Sequence, residues 1–366
     1  MRATISARAV VTPDGILADH TVTAVDGEIV EIAPAPSTPE HALLSPGFVD
    51  LQVNGHHDID VATLDDGDWS RFDDLLCAQG VTTFCPTLIS AEPASYEAAL
   101  DRVARYDARP GPRPTVAGVH LEGPFLGDRP GAHQPTADGP IDIDWLASLA
   151  DAVAIITIGP ERPNAIEAIG ALTAHGIVVA LGHTAADYDR TTTAIVAGAT
   201  LFTHAFNASA PLNHRAPGPV GAALSNDDVA ISLIVDGIHI HPAVAKIAWR
   251  AKPSDKVILI TDAAAWASSR LSERAVNLVD GAPRLADGTL AGSRLTMPGA
   301  IRNSVREVGI GLVDVINAAT SNPARLLGLA DRGAIAVGRR ADLVALDADF
   351  AVEATWIGGQ QVWPAR

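Results

Sequence analysis

The feature that most constrains the fold of this chain is a series of eight short apolar runs, mostly separated by amphipathic segments of helix length. This alternation is typical of repeated βα units, because strands buried on both faces of a parallel sheet have continuous apolar sequences. A (β/α)8 barrel needs roughly 250 residues, so the pattern favours this closed, TIM-like α/β barrel over an open doubly wound sheet. The runs cover residues 48–54, 82–88, 116–122, 153–158, 177–181, 201–206, 231–235 and 257–260.

The two ends of the chain differ from this pattern. Residues 1–45 read as short strands and turns, and the same character returns from Gly333 to the end. We expect the two ends to pair as one small β domain, formed by residues 1–45 and 333–366, while residues 46–332 form the barrel.

Composition excludes several classes of partner. The 366 residues include 26 Lys and Arg and 43 Asp and Glu, which gives a formal net charge of −17. A chain this acidic, without a clustered basic run, is a poor match for nucleic acid or an anionic membrane, since both are bound through Lys and Arg. The same charge predicts mild repulsion of small anions.

The cellular location follows from cysteine content and hydropathy. The chain has only Cys77 and Cys85, both in apolar surroundings, which fits reduced, buried thiols in a reducing compartment. No segment reaches the roughly 18 apolar residues of a membrane span, and the N-terminal sequence does not match a signal peptide. We expect a cytoplasmic protein.

Several apolar runs end in polar residues that core packing would not select. In a barrel these strand ends converge on the C-terminal face, where active sites lie. The residues are Gln52, Asn54, Glu122, His183, His204, Asp236 with nearby His239, and Asp262.

Glu122, His183 and His204 could form a catalytic metal site, because three protein ligands leave positions open for water. A divalent cation lowers the pKa of water from about 15.7 towards about 7, so no protein nucleophile is required. Asp262 could then carry the proton. Each residue also has a structural interpretation: hydrogen-bonded histidines, a buried Glu122 paired with an arginine, and Asp262 as a helix cap. The sequence contains no motif typical of a serine hydrolase, an NTPase or a dinucleotide-binding enzyme.

A series of motifs resembles the N-acetylglucosamine-6-phosphate deacetylases of the amidohydrolase superfamily over nearly the whole length. Single motifs of this kind are weak, but their order and spacing together are specific. They lie at residues 45–55, 120–125 with 131–133, 181–184, 203–208, 214–218, 236–239, 261–263 and 287–293.

The resemblance implies a (β/α)8 barrel with a small β-sandwich domain built from both termini. It implies that Glu122, His183 and His204 bind the metal, that Asp262 is the acid/base and that His239 polarises the acetamide carbonyl. The residues that it implies for substrate binding are His133, Asn207, Ala208, His214, Arg215 and His239. It also implies a homodimer, in which Arg215 reaches the neighbouring active site.

Two features carry information beyond the resemblance. Many amidohydrolases have two histidines at the end of the first strand, whereas this chain has Gln52 and Asn54, which are poorer ligands than imidazole. We therefore expect one divalent cation per subunit, with Gln52 and Asn54 binding a water at the second position. The segment after Asp262 also departs from the family pattern, and Trp266 there is interpreted either as a pocket wall or as a surface residue packed on a helix.

The resemblance therefore implies a hydrolase that converts N-acetyl-D-glucosamine 6-phosphate to D-glucosamine 6-phosphate and acetate. Zinc is the first expectation for the cation, with iron, cobalt and manganese as alternatives. Alternative functions are deacetylation of another substrate such as N-acetylgalactosamine 6-phosphate, or sugar-phosphate binding by a catalytically impaired homologue. A cyclic-amide hydrolase with a carboxylated lysine is disfavoured, because Lys246, Lys252 and Lys256 lie outside the predicted strand ends.

Overall fold

A computed structural model of the chain describes residues 1–134, 139–268, 270–271 and 274–364. The strands are β1 Arg2–Thr12, β2 Gly15–Val25, β3 Glu28–Pro34, β4 His41–Pro46, β5 Phe48–Val53, β6 Gly55–His56, β7 Ile59–Asp60, β8 Val81–Ile89, β9 Thr115–Val116, β10 Val119–Glu122, β11 Val153–Ile158, β12 Val178–Leu181, β13 Leu201–Phe202, β14 Ala230–Leu233, β15 Val257–Leu259, β16 Arg270–Leu271, β17 Arg274–Ala275, β18 Asn277–Val279, β19 Ala282–Arg284, β20 Leu343–Leu346, β21 Val352–Ile357 and β22 Gln360–Trp363.

The helices mostly follow the barrel strands along the chain. They are α1 Trp69–Cys77, α2 Pro93–Asp107, α3 Ile143–Ser148, α4 Ala165–Ala174, α5 Tyr188–Val196, α6 Gly218–Ser225, α7 Pro242–Ala251, α8 Met297–Asn303, α9 Leu312–Ala319 and α10 Ser321–Leu326. Aspartate side chains cap the N-termini of two of these helices. Asp142 accepts a hydrogen bond from the Trp145 N–H at α3, and Asp187 accepts one from the Arg190 N–H at α5. Within the part of the chain described, no helix is long and apolar enough to cross a bilayer.

Eight parallel strands form the barrel, in the order β5-β8-β10-β11-β12-β13-β14-β15, with β9 beside β8. Each corresponds to one of the eight predicted apolar runs, so the predicted fold class is confirmed. Backbone hydrogen bonds close the ring between the first and last strands, since the N–H groups of Asn54 and Gly55 donate to the Ala263 carbonyl at 2.9 and 3.0 Å.

A buried polar contact reinforces this closure. The Thr261 hydroxyl donates to Asp50 Oδ2 at 2.6 Å, and the Thr261 N–H donates to Asp50 Oδ1 at 3.2 Å. Burial raises the pKa of Asp50 to about 6 against the effect of these bonds. The carboxyl therefore joins the strand segments that carry Gln52 and Asp262.

The two chain ends share one seven-stranded sheet, in the order β22-β21-β20-β4-β1-β2-β3. β1 and β4 are parallel and the other neighbours are antiparallel. This sheet has its own apolar cluster, which includes Ile5, Val22, Leu44, Leu343 and Trp356. The predicted pairing of the termini is therefore present, while the boundaries at residues 45/46 and 332/333 stay predictions.

The segment after the eighth strand holds two short antiparallel hairpins, β16–β17 and β18–β19. Part of the altered loop, at Ser269, lies outside the described residues. The loop starts at the C-terminal end of the barrel, since Ala263 forms parallel bridges to both Val53 and Ser293.

Candidate active site

A cavity of about 300 Å³ lies at the C-terminal ends of the barrel strands. Of the eight polar strand-end residues singled out from the sequence, all but Gln52 and Asp236 line it, and loops that follow the strands complete its walls. Its described lining comprises Asn54, Ile89, Glu122, Gly131, Ala132, His133, His183, His204, Asn207, Ala208, Ile234, His239, Asp262, Thr289, Leu290 and Gly292.

Three ionisable lining residues have strained backbones. The φ angles of His183, His204 and Asp262 are 51°, 31° and 48°, in the left-handed region that non-glycine residues rarely adopt. Each residue lies two or three positions beyond the end of a barrel strand, where such a turn changes the direction of the chain. Strain of this kind is concentrated at functional sites, so the backbone supports a functional interpretation of these three residues.

Glu122, His183 and His204 form a tight, buried cluster. Glu122 Oε1 lies 3.1 Å from His183 Nε2 and 2.8 Å from His204 Nε2, and the two Nε2 atoms are 3.1 Å apart. The three side chains are at most 5% exposed. The structure thus brings together the three predicted metal ligands, from three different strands.

The chemistry of this donor set fits a divalent cation. His183 Nδ1 lies 3.2 Å from the carbonyl oxygens of Arg129 and Pro130, which only accept, so Nδ1 carries the proton and Nε2 presents a lone pair to Glu122. Burial lowers the pKa of His183 to about 4, which keeps the ring in the neutral form that binds metals. Converging lone pairs of Nε2 and a carboxylate require a cation between them, and this ligand arrangement is typical of catalytic metal sites.

The charges of the other two cluster members are consistent with this. Burial raises the pKa of Glu122, but the combined effect of the three surrounding histidines outweighs burial, so this pKa lies well below its usual value. For His204, burial lowers the pKa, but the bond to Glu122 and the nearby carboxylate charges raise it overall. Either a proton on His204 Nε2 or a divalent cation at this position would balance the negative charge of the Glu122 carboxylate.

His133 lies against the same carboxylate, with its Nε2 3.5 Å from Glu122 Oε2. Distance alone therefore also permits a ligand group of Glu122, His133 and His183. The Ser90 N–H, however, points to His133 Nδ1 at 3.3 Å. Because an N–H only donates, Nδ1 is the acceptor and Nε2 carries the proton, which makes His133 a donor to Glu122. We therefore favour His204 as the third ligand, while the substrate-binding role of His133 stays a prediction.

Asp262 is held beside the cluster by two amides. Its Oδ1 accepts hydrogen bonds from Asn54 Nδ2 at 2.7 Å and from Gln52 Nε2 at 3.0 Å, and Gln52 Nε2 also reaches Glu122 Oε1 at 2.9 Å. Gln52 and Asn54 thus bind the carboxylates directly. The sequence had predicted only that these two amides bind a water at the position of a second cation. Asn54 Oδ1 is buried with no partner among the described atoms, so it is available to accept a hydrogen bond from a water.

The environment of Asp262 suits a proton carrier. Burial and the nearby Glu122 carboxylate raise the pKa of Asp262 to about 7, partly offset by the bond from Asn54. An acid of this strength can both accept and release a proton near neutral pH. The helix-cap interpretation is wrong, because no described helix begins near Asp262 and its carboxylate binds amides from the first strand.

His239 enters the cavity from the loop after the seventh strand, with a side chain that is 4% exposed. Its Nδ1 lies 2.7 Å from Asp236 Oδ2. Asp236 Oδ1 accepts the backbone N–H groups of Ile238 and His239, both at 2.8 Å, so the same carboxylate fixes the loop and the ring.

The predicted substrate-binding residues separate into two groups. Asn207 and Ala208 line the cavity, as do His133 and His239. His214 and Arg215 instead lie on an exposed loop and are not part of this cavity. No arginine or lysine occurs among the described lining residues, so the cavity of one chain offers no permanently charged cation to a phosphate.

Sequence reasoning missed some of the cavity walls. Thr289, Leu290 and Gly292 belong to the motif at 287–293, but motif matching assigned them no role. Trp266 is not among the described lining residues, so the pocket-wall interpretation finds no support; its ring packs edge-on against His57 at 5.0 Å and beneath the Arg294 guanidinium at 5.0 Å. The packing of Trp266 involves loop residues, so the alternative of helix packing is not supported by these contacts either.

Comparison with known proteins identifies the family of this chain. The sequence model of the amidohydrolase family matches residues 43–362. The N-acetylglucosamine-6-phosphate deacetylase of Homo sapiens is 38% identical over 347 residues, covering 88% of this chain and 84% of the human protein. The N-acetylgalactosamine-6-phosphate deacetylase of Escherichia coli O157:H7 is 35% identical over 373 residues, covering 97% of this chain and 98% of the relative.

Solved structures share the whole architecture. A mutant N-acetyl-D-glucosamine-6-phosphate deacetylase from Mycobacterium smegmatis, in complex with N-acetyl-D-glucosamine-6-phosphate, superposes with a TM-score of 0.91 at 34% identity and covers 99% of both chains. The N-acetylglucosamine-6-phosphate deacetylase from Thermotoga maritima also gives a TM-score of 0.91, at 32% identity, covering 98% of this chain and 99% of the other. From its sequence match and from these relatives, the chain belongs to the amidohydrolase family.

Proposed function

We propose that this protein hydrolyses the acetamide of N-acetyl-D-glucosamine 6-phosphate, releasing D-glucosamine 6-phosphate and acetate. The observation that carries the proposal is the placement of Asp262 beside the Glu122–His183–His204 cluster, joined to it through Gln52. The relatives that bear this activity in their names support the choice of substrate.

Glu122, His183 and His204 would hold one divalent cation, for which zinc is our proposal. When bound, a divalent cation supplies Lewis acidity, which lowers the pKa of water and polarises a carbonyl oxygen. A single site is supported by Gln52 and Asn54, whose amides stand where imidazole ligands would be needed for a second cation. Metal analysis of the purified protein tests this, and two equivalents per chain at full activity would contradict it.

The residues of the chain perform the proton transfers. Asp262 takes a proton from the attacking water as the oxygen–carbon bond forms, and gives it to the nitrogen as the carbon–nitrogen bond breaks. Asn54 and Gln52 orient Asp262 through hydrogen bonds to Oδ1. His239, across the cavity, donates a hydrogen bond to the carbonyl oxygen as negative charge develops on it.

Recognition of the phosphate calls for a second subunit. The described lining residues include no arginine or lysine, so these residues offer the dianion no permanently charged cation. The exposed position of Arg215 supports a homodimer in which Arg215 serves the neighbouring cavity. A local cation of this kind can outweigh the distant net charge, since salt screens charges beyond about 8 Å. The two free, buried cysteines support a cytoplasmic location.

The test is acetate release by the purified, metal-loaded protein from N-acetyl-D-glucosamine 6-phosphate, its galactosamine epimer and unphosphorylated N-acetyl-D-glucosamine. We expect the highest kcat/KM with the first substrate and a large loss without the phosphate. The relative from Escherichia coli O157:H7 favours the galactosamine epimer as the second candidate. Preference for that epimer would replace our proposal, and binding without turnover of any substrate would identify an impaired homologue.

A further inference from the structure

The Glu161 carboxylate joins three loops at the C-terminal face of the barrel. Glu161 itself lies in the loop after β11 and is partly buried. Its Oε1 accepts the Asp128 N–H at 2.9 Å, from the loop after β10, and the Ala185 N–H at 2.8 Å, from the loop after β12. Its Oε2 accepts the Thr184 hydroxyl at 2.5 Å. One side chain therefore links the loops on either side of its own.

The surrounding backbone is arranged to receive this side chain. A Cβ at Gly159 would collide with the backbone of Gly127, and one at Gly127 would displace Glu161 Oε1, so glycines at both positions allow this close approach. The Arg190 guanidinium, in α5, donates to the carbonyl groups of both chain neighbours of Glu161, at 2.6 and 3.4 Å. The position of the carboxylate is therefore fixed by contacts on its own backbone as well as by the loops that it binds.

The residues that Glu161 binds flank the contact that orients His183. The Arg129 N–H donates to the His183 carbonyl at 3.2 Å, and the carbonyls of Arg129 and Pro130 accept from His183 Nδ1 at the same distance. Glu161 binds Asp128, immediately before this pair of carbonyls, and also the two residues that follow His183. The carboxylate therefore sets the distance between the ring and its carbonyl acceptors through the residues next to them.

The backbone of His183 depends on such support. Its φ of 51° is a conformation that persists in a non-glycine residue only where the surrounding contacts over-determine it. Thr184 and Ala185, the next two residues, are both held by Glu161. Removal of the carboxylate would leave fewer contacts against a change of this φ, and such a change turns Nε2 away from Glu122.

We propose that Glu161 is a positioning residue of the metal site, which increases the affinity for a divalent cation by holding the loops after β10 and β12 in place around His183. Loss of a partner that orients a metal-binding histidine typically weakens metal binding about 10- to 100-fold. Backbone carbonyls cannot be removed by substitution, so the side chain that places them is the position to test. The inference rests on the proposed metal site, and it adds a residue that is not among those described as lining the cavity.

The experiment measures the zinc Kd of the metal-free protein by competition with a chromogenic chelator. Glu161→Gln keeps the length of the side chain, so its amide oxygen can accept the Asp128 and Ala185 N–H groups while its amino group donates to the Thr184 oxygen. Glu161→Asp keeps the charge but is one methylene too short to reach both loops. We expect the Kd of Glu161→Asp to rise about 10- to 100-fold and that of Glu161→Gln to remain close to the wild-type value.

Asn164→Gly is the matched control. Asn164 joins the same two connections, after β10 and after β11, but at Ile141, where its Oδ1 accepts the N–H at 2.8 Å and its Nδ2 donates to the carbonyl at 3.0 Å. Glycine tolerates the φ of 52° at this position, so the variant loses loop contacts without added strain. Its zinc Kd should equal that of the wild type. An unchanged Kd in Glu161→Asp, or equal weakening in either Asn164→Gly or Glu161→Gln, would refute the inference.

A second readout needs neither metal nor turnover. Amide hydrogen exchange of the metal-free protein reports whether the Asp128 and Ala185 N–H groups stay bonded. We expect both amides to be protected in the wild type and in Glu161→Gln and to exchange faster in Glu161→Asp, whereas equal exchange in all three would overturn the proposal. If the wild type binds zinc but releases no acetate, the proposed function fails, while the zinc affinities still judge the role of Glu161.

Discussion

Replacing Asn54 with alanine should change the pH dependence of turnover in a predictable direction. Asn54 Nδ2 donates a 2.7 Å hydrogen bond to the buried carboxylate of Asp262. A hydrogen bond to a charged group contributes about 1.5–3 kcal/mol, and one pKa unit corresponds to about 1.36 kcal/mol, so full loss would raise the Asp262 pKa by roughly one to two units. Because Gln52 still donates to the same oxygen at 3.0 Å, we expect about one unit.

The sign follows from the state that the bond stabilises. Asn54 favours the ionised carboxylate, so its removal raises the pKa and protonates Asp262 over a wider range of low pH. The acid limb of kcat/KM should therefore move to higher pH, with about a tenfold loss of rate for each unit below the limb. The assay is acetate release across pH 5 to 9, on the order of two units on either side of neutrality.

Asn207→Ala is the matched control. Asn207 lines the same cavity, but its amide donates to the backbone carbonyl of His204 at 3.2 Å and does not reach Asp262. Titration of the substrate phosphate affects both variants equally. A difference between the acid limbs of the two variants therefore reports a titrating group of the enzyme. An acid limb that stays at the wild-type position in Asn54→Ala, or that moves equally in Asn207→Ala, would refute the reasoning.

Three other variants test separate parts of the account. Asp262→Asn should retain the cation, measured by metal analysis, while kcat falls by about 10² to 10⁴, because general acid–base catalysis is lost; a rate near that of the wild type would remove Asp262 from the mechanism. Arg215→Ala should raise KM for the phosphorylated sugar with little change in kcat, and an unchanged KM would remove this side chain from phosphate binding. Asp50 has a pKa raised to about 6, so its contribution to stability is fully present below about pH 4 and is lost as the pH rises past 6. Thermal unfolding should therefore show Asp50→Asn gaining stability relative to the wild type between pH 4 and 8, by up to about 3 kcal/mol; a constant difference would contradict the buried titration.

The barrel could be predicted because its strands form a regular series of apolar runs. The centre of its site could be predicted because polar residues interrupt that series. Buried parallel strands read as apolar runs, so Glu122 and Asp262 stand out as ionisable groups at their ends. The folded chain then places the side chains of Glu122, His183 and His204 within 3.1 Å of one another, as convergence at the C-terminal face requires.

The remaining features depend on tertiary contacts that no local pattern encodes. The hydrogen-bonding role of His133 is set by the Ser90 N–H, 43 positions away in sequence. The sequence suits Trp266 equally to a pocket wall or to packing on a helix, whereas in the fold it contacts the loop residues His57 and Arg294, which neither alternative includes.

The central claim is that one divalent cation, held beside Asp262, makes this site an amino-sugar-phosphate deacetylase. The most direct measurement is to remove metal from the protein with a chelator and to titrate it with zinc while following acetate release from N-acetyl-D-glucosamine 6-phosphate. We expect no turnover without metal and a plateau at one equivalent per chain, with His204→Ala failing to reach it. Acetate release that survives the chelator, or that rises until a second equivalent is bound, would contradict a single catalytic cation.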